Sequence, residues 1–456
     1  MIKYFFKKEY VFAITLFHLL LGILSIYNKI FIIVWFYTII LSSFNEVLSL
    51  AFQKKASLRT LQLIVYLGGF DVLSRMAKAS PFIPWEVSKY LYTVLAVLML
   101  ISGQVKYPRI IGLFLLFVLI PGFIIDQSGV VTLERIIANL LGPISMCCLI
   151  ICISNFKLKL FEFNNLIHLI WYATIPVLSY TMIKTPDYNL LSYSLSASFE
   201  TTGGFGSNQV STILGVGMFI SYYAWMNRLL FSGYHNLDGL FIGLFAFQGF
   251  LSFSRGGMFI GTTALLIYFI LFRLSGSFYK YINMQSIRPL MFFLSALFLL
   301  IISYSSIQYL SKGNLTKRYL GETESTLSGD RKKSLNTITT GRYNILLTDL
   351  NLWAKNPVFG VGAGASPYLR GNQLVGVAPH TEISRLLAEH GLFGLLFICG
   401  LAYIGIKIFS RFRSMFGAIL FCLYFIGIGT AMHSAMRTYV TPLFIPLSMV
   451  MIKNEE

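Results

Sequence analysis

Residues 341–394 read GRYNILLTDLNLWAKNPVFGVGAGASPYLRGNQLVGVAPHTEISRLLAEHGLFG. Almost all of the remaining chain consists of long apolar runs, whereas this stretch contains an arginine, a glycine-rich turn and a histidine beside a carboxylate. It therefore separates two groups of apolar segments. We expect any reactive groups to lie here, held at a membrane surface by helices on both sides.

The composition indicates a membrane protein. The chain has 456 residues, of which 56% are hydrophobic and 12% charged, and its mean hydropathy is +0.71. A soluble domain carries about 25% charged residues. Because the apolar runs are much longer than a barrel strand, they predict an all-α, polytopic fold. The net charge of +18 is assigned mainly to loops beside the membrane, and no nucleic-acid partner is expected.

The apolar runs predict about twelve to fourteen transmembrane helices. The predicted spans are 11–27, 30–50, 60–73, 88–103, 109–125, 136–154, 163–183, 208–226, 236–253, 256–273, 288–309, 391–408, 415–431 and 438–452. Three regions follow from them: a transmembrane bundle over 1–309, a loop over 310–390 with short helices, and closing transmembrane helices over 391–456.

Lysine and arginine are more frequent on alternate connecting segments, beginning with the N-terminus. The positive-inside rule then predicts that both termini are cytoplasmic and that 310–390 is on the outer face. This outer loop is basic, which the rule does not explain. It either binds an anion or is a solvated loop near acidic lipid.

Arg255 lies in FSRGGMF, at the predicted outer start of the tenth span. An arginine at a helix start can hold two phosphate oxygens, and the unpaired backbone donors there also favour an anion. The alternative is an interfacial arginine that extends toward water. The nearby turn GGFGSNQVS is predicted to lead into a helix capped by Asn208.

Arg342 begins a predicted surface helix over 342–354. A cation is unfavourable at this end of a helix dipole, which indicates another reason for its presence. The alternative is an arginine that extends toward water from the interface or pairs within the loop. The following turn FGVGAGASP (359–367) lacks the context of a phosphate-binding loop and favours a packing role.

His380 precedes a second predicted helix. The positive end of that helix would keep its imidazole neutral and able to accept a proton. Glu382 could orient the ring, although Glu382, Arg385 and Glu389 also have the spacing of ordinary helix ion pairs. A purely structural histidine is the alternative.

The sequence contains no DxD pair, no His/Cys cluster and no cysteine pair with metal-ligand spacing. We therefore expect neither a metal nor a cofactor.

The ordered residues of 200–400 resemble the O-antigen ligase and polymerase superfamily. They are Ser254-Arg255-Gly256-Gly257, then Gly341-Arg342, Trp353, Asn356-Pro357, Gly360-Val361-Gly362, His380 and Glu389-His390-Gly391, followed by closing helices. The resemblance implies a metal-independent, inverting membrane glycosyltransferase of GT-C type in the bacterial inner membrane, with its site on the periplasmic face. Its donor would be an undecaprenyl diphosphate-linked oligosaccharide. Its acceptor would be another glycan (polymerase) or lipid A-core (ligase).

In the ligase branch of this superfamily, two arginines bind the donor diphosphate and a histidine activates the acceptor. Those roles correspond to Arg255, Arg342 and His380. Arg318, Glu382 and Arg385 are further candidates for binding the diphosphate or glycan. Membrane lipids and polysaccharide assembly proteins are the other expected partners.

Two departures leave the subfamily open: a span count above the family's twelve or so, and Thr381-Glu382 after the histidine. Two other functions remain as alternatives. One is a transporter or flippase of a lipid-linked or small anionic solute, with Glu46, Asp71 and Asp238 as the acids near predicted spans. The other is a structural scaffold of a polysaccharide assembly complex.

Overall fold

The computed structural model confirms an all-α polytopic membrane protein. It describes residues 2–42, 58–103, 105, 109–125, 129–153, 156–188, 190–275, 287–371, 374–377, 380–413 and 416–453. Residues 43–57 lie outside the described part, and they include Glu46 and the end of the predicted span 30–50. The predicted number of spans stays a prediction.

Six helices of the described part are long and apolar enough to cross a membrane. They are Leu133–Ile153, Leu160–Lys184, Arg255–Leu274, Arg288–Leu310, Glu382–Phe409 and Gly417–Ser434. The other helices of the bundle are Val11–Tyr27, Ile30–Ser42, Leu58–Gly69, Asp71–Met76, Val87–Ile101, Ile110–Phe117, Ile120–Ile124, Ser207–Asn227, His235–Leu251 and Val440–Leu447, with 3-10 turns at Ile2–Tyr4 and Glu200–Thr202.

Short helices occupy the polar segment between Leu310 and Glu382. They are Asn314–Tyr319, Glu324–Leu327, Leu335–Ile338, Arg342–Lys355 and Ser366–Leu369. The fourth agrees with the surface helix predicted over 342–354.

Four predicted spans differ from the observed elements. The spans 60–73 and 109–125 are each divided, into Leu58–Gly69 with Asp71–Met76 and into Ile110–Phe117 with Ile120–Ile124. Residues 438–452 form only the helix Val440–Leu447, after which Met451–Ile452 pairs as a parallel strand with Lys157–Leu158. The span predicted at 391–408 begins earlier, at Glu382, because two helical segments meet at a kink at Gly391. The polar segment therefore passes directly into a membrane helix.

Close packing of glycines fixes the start of the helix Arg255–Leu274. A side-chain carbon added at Gly257 would lie 2.3 Å from the Ser211 backbone, and one at Gly261 would lie 2.6 Å from the Gly215 carbonyl. Gly257 and Gly261 have the spacing of small residues that let membrane helices approach closely. Because the backbones touch here, Arg255 has a defined position on the bundle.

Candidate functional site

The polar segment folds back over the start of the helix Arg255–Leu274. Arg255 Nη2 donates a hydrogen bond to the Ile338 carbonyl at 2.6 Å. Arg342 Nη1 lies 3.0 Å from His433 Nδ1, near the end of the helix Gly417–Ser434. The two arginines come from segments far apart in sequence, and the fold-back brings them to one region.

Side chains of the preceding turn hold the start of the helix Arg342–Lys355. Gly341 precedes it with a φ of 85°, a conformation that favours glycine. The Tyr343 amide donates to Thr339 Oγ1 at 3.1 Å, and the Asn344 amide donates to Asn336 Oδ1 at 3.1 Å. These acceptors satisfy donors that a helix start leaves unpaired, so they stabilise the turn that carries Arg342.

Asp349 anchors the same helix to the rest of the segment. Its Oδ1 accepts from Arg370 Nε at 2.9 Å and Nη2 at 2.7 Å, and its Oδ2 accepts from Ser384 Oγ at 2.8 Å. Arg370 also donates to the Val377 carbonyl at 2.7 Å. The side chains of Asp349 and Arg370 are fully buried. One carboxylate thus connects the helix bearing Arg342 to the chain on both sides of His380.

The glycine-rich turn is a packing turn, as its sequence favours. The Val361 and Gly362 amides donate to the Ala388 and Glu389 carbonyls at 2.9 and 3.0 Å. A side-chain carbon at Gly360 would lie 2.4 Å from the Glu389 backbone. Two amides of the turn therefore donate to carbonyls just before the helix kink at Gly391.

His380 lies two residues before the helix Glu382–Phe409 and is partly buried. Among the described residues no side chain or backbone group hydrogen-bonds to its buried Nδ1. Burial, followed by the charges of Arg342, Arg437 and Arg370, lowers the pKa of His380 to about 4. Burial and the neighbouring cations therefore favour the neutral imidazole at physiological pH.

Glu382 does not contact His380 in the way the sequence suggested. One of its oxygens pairs with Arg385 Nη2, and the other accepts from the Met436 amide at 3.3 Å. Arg385 also contacts Glu389 Oε2 at 3.3 Å and the Asn139 side chain. Glu382 and Arg385 thus form the helix ion pairs that were the alternative, and their proposed contact with substrate stays a prediction.

Arg318 completes a group of three arginines with Arg255 and Arg342. Arg318 is buried, and its Nε lies 3.5 Å from the Phe253 carbonyl. Burial, followed by the charges of Arg255 and Arg342, lowers the pKa of Arg318 to about 10. Burial, followed by the charges of Arg255 and Arg437, lowers the pKa of Arg342 to about 10 as well. Both remain charged at neutral pH. Within the described ranges none of the three forms an ion pair with a carboxylate.

A cavity of about 640 Å³ adjoins this group of arginines. Arg318 and Gly341 lie in its wall. Much of the remaining lining is hydroxyl and amide: Ser196, Thr323, Ser325, Asn336, Thr337 and Thr340. Leu195, a second cation, Arg331, and one acid, Glu324, complete it. The cavity therefore offers many hydrogen-bonding groups next to a concentration of positive charge.

His433 is the site residue that the sequence analysis missed. It is 6% exposed and contacts Arg342 from the far end of the chain. The available signal was a histidine at the outer end of a predicted span, on the side assigned to Arg255. Its ring also explains Gly256, where an added side-chain carbon would lie 1.9 Å from His433 Nδ1.

Asn208 has a different role from the predicted one. The helix begins at Ser207 after Gly206, and the Asn208 side chain instead accepts from Ser254 Oγ at 2.9 Å. Ser211 Oγ also donates to Ser254 Oγ at 2.9 Å. The N-terminal end of this helix is thereby fastened to the start of the Arg255 helix.

Two acids considered for transport have structural partners. Asp71 forms a buried ion pair with Arg75 at 2.5 Å, and Asp238 accepts from the Phe231 and Ser232 amides. In the part of the chain that the structure describes, no three His, Cys, Asp or Glu side chains are grouped to hold a metal.

The fold and the site define a polytopic membrane protein with a cationic site formed where a polar segment meets the ends of several helices. Residues 240–399 match the family model Wzy_C, O-Antigen ligase. The match confirms the predicted resemblance to the O-antigen ligase and polymerase superfamily, and it includes Arg255, Arg318, Arg342 and His380 but not His433. A search of curated proteins gave no match.

Proposed function

We propose that this protein transfers a glycan from undecaprenyl diphosphate to a sugar hydroxyl during the synthesis of a surface polysaccharide. The observation that carries the proposal is the grouping of three arginines without a carboxylate partner in the described part, beside a neutral histidine. A buried cation without a partner is costly, so an anionic substrate would supply the missing charge.

Arg255 and Arg342 are the proposed ligands of the donor diphosphate, and Arg318 is a third. Arginine binds phosphate through paired donors in a fixed plane. As the bond between the anomeric carbon and the diphosphate oxygen breaks, the diphosphate keeps the electron pair and gains negative charge. Preformed cations stabilise that developing charge without having to reorganise.

His380 is the proposed general base. It would accept the proton of the acceptor hydroxyl while that oxygen bonds to the anomeric carbon. The displacement is direct and inverts the configuration at that carbon. The cavity beside Arg318 has a lining suited to sugar hydroxyls, and the acceptor is either another carrier-linked glycan or lipid A-core.

The proposed place of action is the bacterial inner membrane, with the site on the periplasmic face and both termini in the cytoplasm. Of the acids considered for transport, the two within the described residues, Asp71 and Asp238, have structural partners, which does not favour transport. A scaffold role would also provide no anionic ligand to compensate the charge of the three arginines.

The test is complementation of a strain that lacks the chromosomal copy. Arg255→Gln, Arg342→Gln and His380→Ala would each be expressed, checked for membrane insertion, and scored for surface polysaccharide and for accumulated lipid-linked glycan. We expect the polysaccharide to be lost and the lipid-linked glycan to accumulate. Lys332→Ala, at an exposed cation of the same segment, is the matched control and should behave as the wild type. Wild-type polysaccharide from all three inserted variants would refute the proposal.

A further inference from the structure

His433 lies between the two elements that carry Arg255 and Arg342. Its Nδ1 is 3.0 Å from Arg342 Nη1. Its ring also lies against Gly256, where an added side-chain carbon would be 1.9 Å from Nδ1 and 2.2 Å from Cε1. One imidazole therefore contacts both the side chain of one arginine and the backbone next to the other.

The contact with Arg342 fixes the protonation of His433. A guanidinium only donates hydrogen bonds, so His433 Nδ1 must be the acceptor. The proton of the neutral ring is then on Nε2. A doubly protonated ring would turn an N–H toward Arg342 and place two cations in contact. The observed geometry thus requires a neutral histidine in one tautomer.

The absence of a side chain at Gly256 makes this arrangement possible. With any larger residue there, the ring would have to move away from the start of the Arg255 helix, and its Nδ1 would move with it. The Gly256 position therefore sets where the acceptor for Arg342 lies. In turn, the acceptor limits how the Arg342 guanidinium can rotate.

We propose that His433 is a positioning residue that holds the guanidinium of Arg342 beside Arg255, so that both cations meet the same diphosphate. This inference rests on the proposed function. It assigns a task to a residue outside the matched region 240–399. It also explains why position 256 is a glycine: a larger side chain there would displace the His433 imidazole.

Four variants test this role. His433→Ala removes the acceptor, whereas His433→Asn keeps a side-chain oxygen near the position of Nδ1. Gly256→Ala displaces the ring without changing it. His390→Asn is the matched control, because His390 is buried like His433 but neither ring nitrogen has a hydrogen-bond partner among the described residues.

The measurement is the affinity of the purified protein for farnesyl diphosphate, read from ligand-induced thermal stabilisation, together with kcat and the donor KM in membranes. A hydrogen bond to a charged group corresponds to a change of about ten-fold or more. We expect His433→Ala and Gly256→Ala to weaken diphosphate binding and raise the donor KM by about that factor, with a smaller change in kcat. His433→Asn should recover most of the loss, and His390→Asn should bind as the wild type.

A double-mutant cycle separates positioning from general stability. If His433 acts through Arg342, then His433→Ala should cause no further loss of affinity in an Arg342→Ala background. Normal binding by His433→Ala together with weak binding by Arg342→Ala would overturn the inference alone. Normal binding by Arg342→Ala would overturn the proposed function as well. Losses of affinity that add in the double mutant would also overturn the inference. If His433→Ala fails to fold, the diphosphate affinities of His433→Asn and Gly256→Ala test the inference instead.

Discussion

Replacing Asp349 with alanine is expected to release the segment that carries Arg342 and His380. The Asp349 carboxylate accepts two hydrogen bonds from Arg370 and one from Ser384, at 2.7 to 2.9 Å. All of these groups lie in the buried interior of the segment. The substitution would leave the Arg370 guanidinium buried beside an empty space and without its counter-charge.

The expected size of the effect follows from that burial. Removing one partner of a buried ion pair costs about 3–5 kcal/mol, mainly because the other charge stays buried and unpaired. At about 1.4 kcal/mol per factor of ten, local opening would increase by about 10²- to 10⁴-fold. Replacing both partners, in Asp349→Leu with Arg370→Met, should recover most of this stability because no unpaired charge remains.

Hydrogen exchange of the purified protein measures this opening directly. Peptides covering 342–377 should exchange faster in Asp349→Ala, while peptides from the helix Leu160–Lys184 should keep their protection. Transfer activity should fall in parallel, and the double replacement should restore protection. Unchanged protection of 342–377 in Asp349→Ala would refute the anchoring role.

Three further outcomes are expected. The proposed general base must be neutral to accept a proton, and burial lowers the pKa of His380 to about 4, so kcat/KM should be flat down to about pH 5 and decrease below it; a pH–rate profile checks this. Arg318→Gln removes one of three neighbouring cations and should weaken farnesyl diphosphate binding by about ten-fold or more, measured by thermal stabilisation. Gly391→Ala places a side chain at a φ of 58° and 2.6 Å from the Val358 backbone. This substitution should lower the free energy of unfolding by about 1–3 kcal/mol and lower the melting temperature. Gly371→Ala, with nothing within 4 Å, is its control.

The features predicted from the sequence were those with a local signature. The helix Arg342–Lys355 shows its period over a few turns, and Arg255 stands out because it begins an apolar run. The catalytic roles of Arg255, Arg342 and His380 stay predictions. The packing role of the glycine-rich turn was also predictable, because it lacks the residues that surround a phosphate-binding loop.

The missed features depend on contacts between distant residues. His433 contacts Arg342, which lies 91 positions earlier, and the residues beside His433 in the sequence do not indicate that contact. The sequence predicts no role for Asp349, since Arg370 and Ser384 are brought to it by tertiary folding. For Glu382 the sequence left two roles open, orienting His380 or forming helix ion pairs, and in the structure Arg385 and the Met436 amide contact its oxygens.

The cations around His380 imply an order of events. Without donor, Arg342, Arg437 and Arg370 keep the imidazole a weak base. A bound diphosphate would neutralise part of that field and raise the affinity of the ring for a proton. Thermodynamic linkage makes the effect reciprocal, so a protonated ring would retain the diphosphate more tightly. In the proposed mechanism, His380 would thus be a stronger base with donor in place, and the protein would release the spent carrier more readily after the ring has lost its proton.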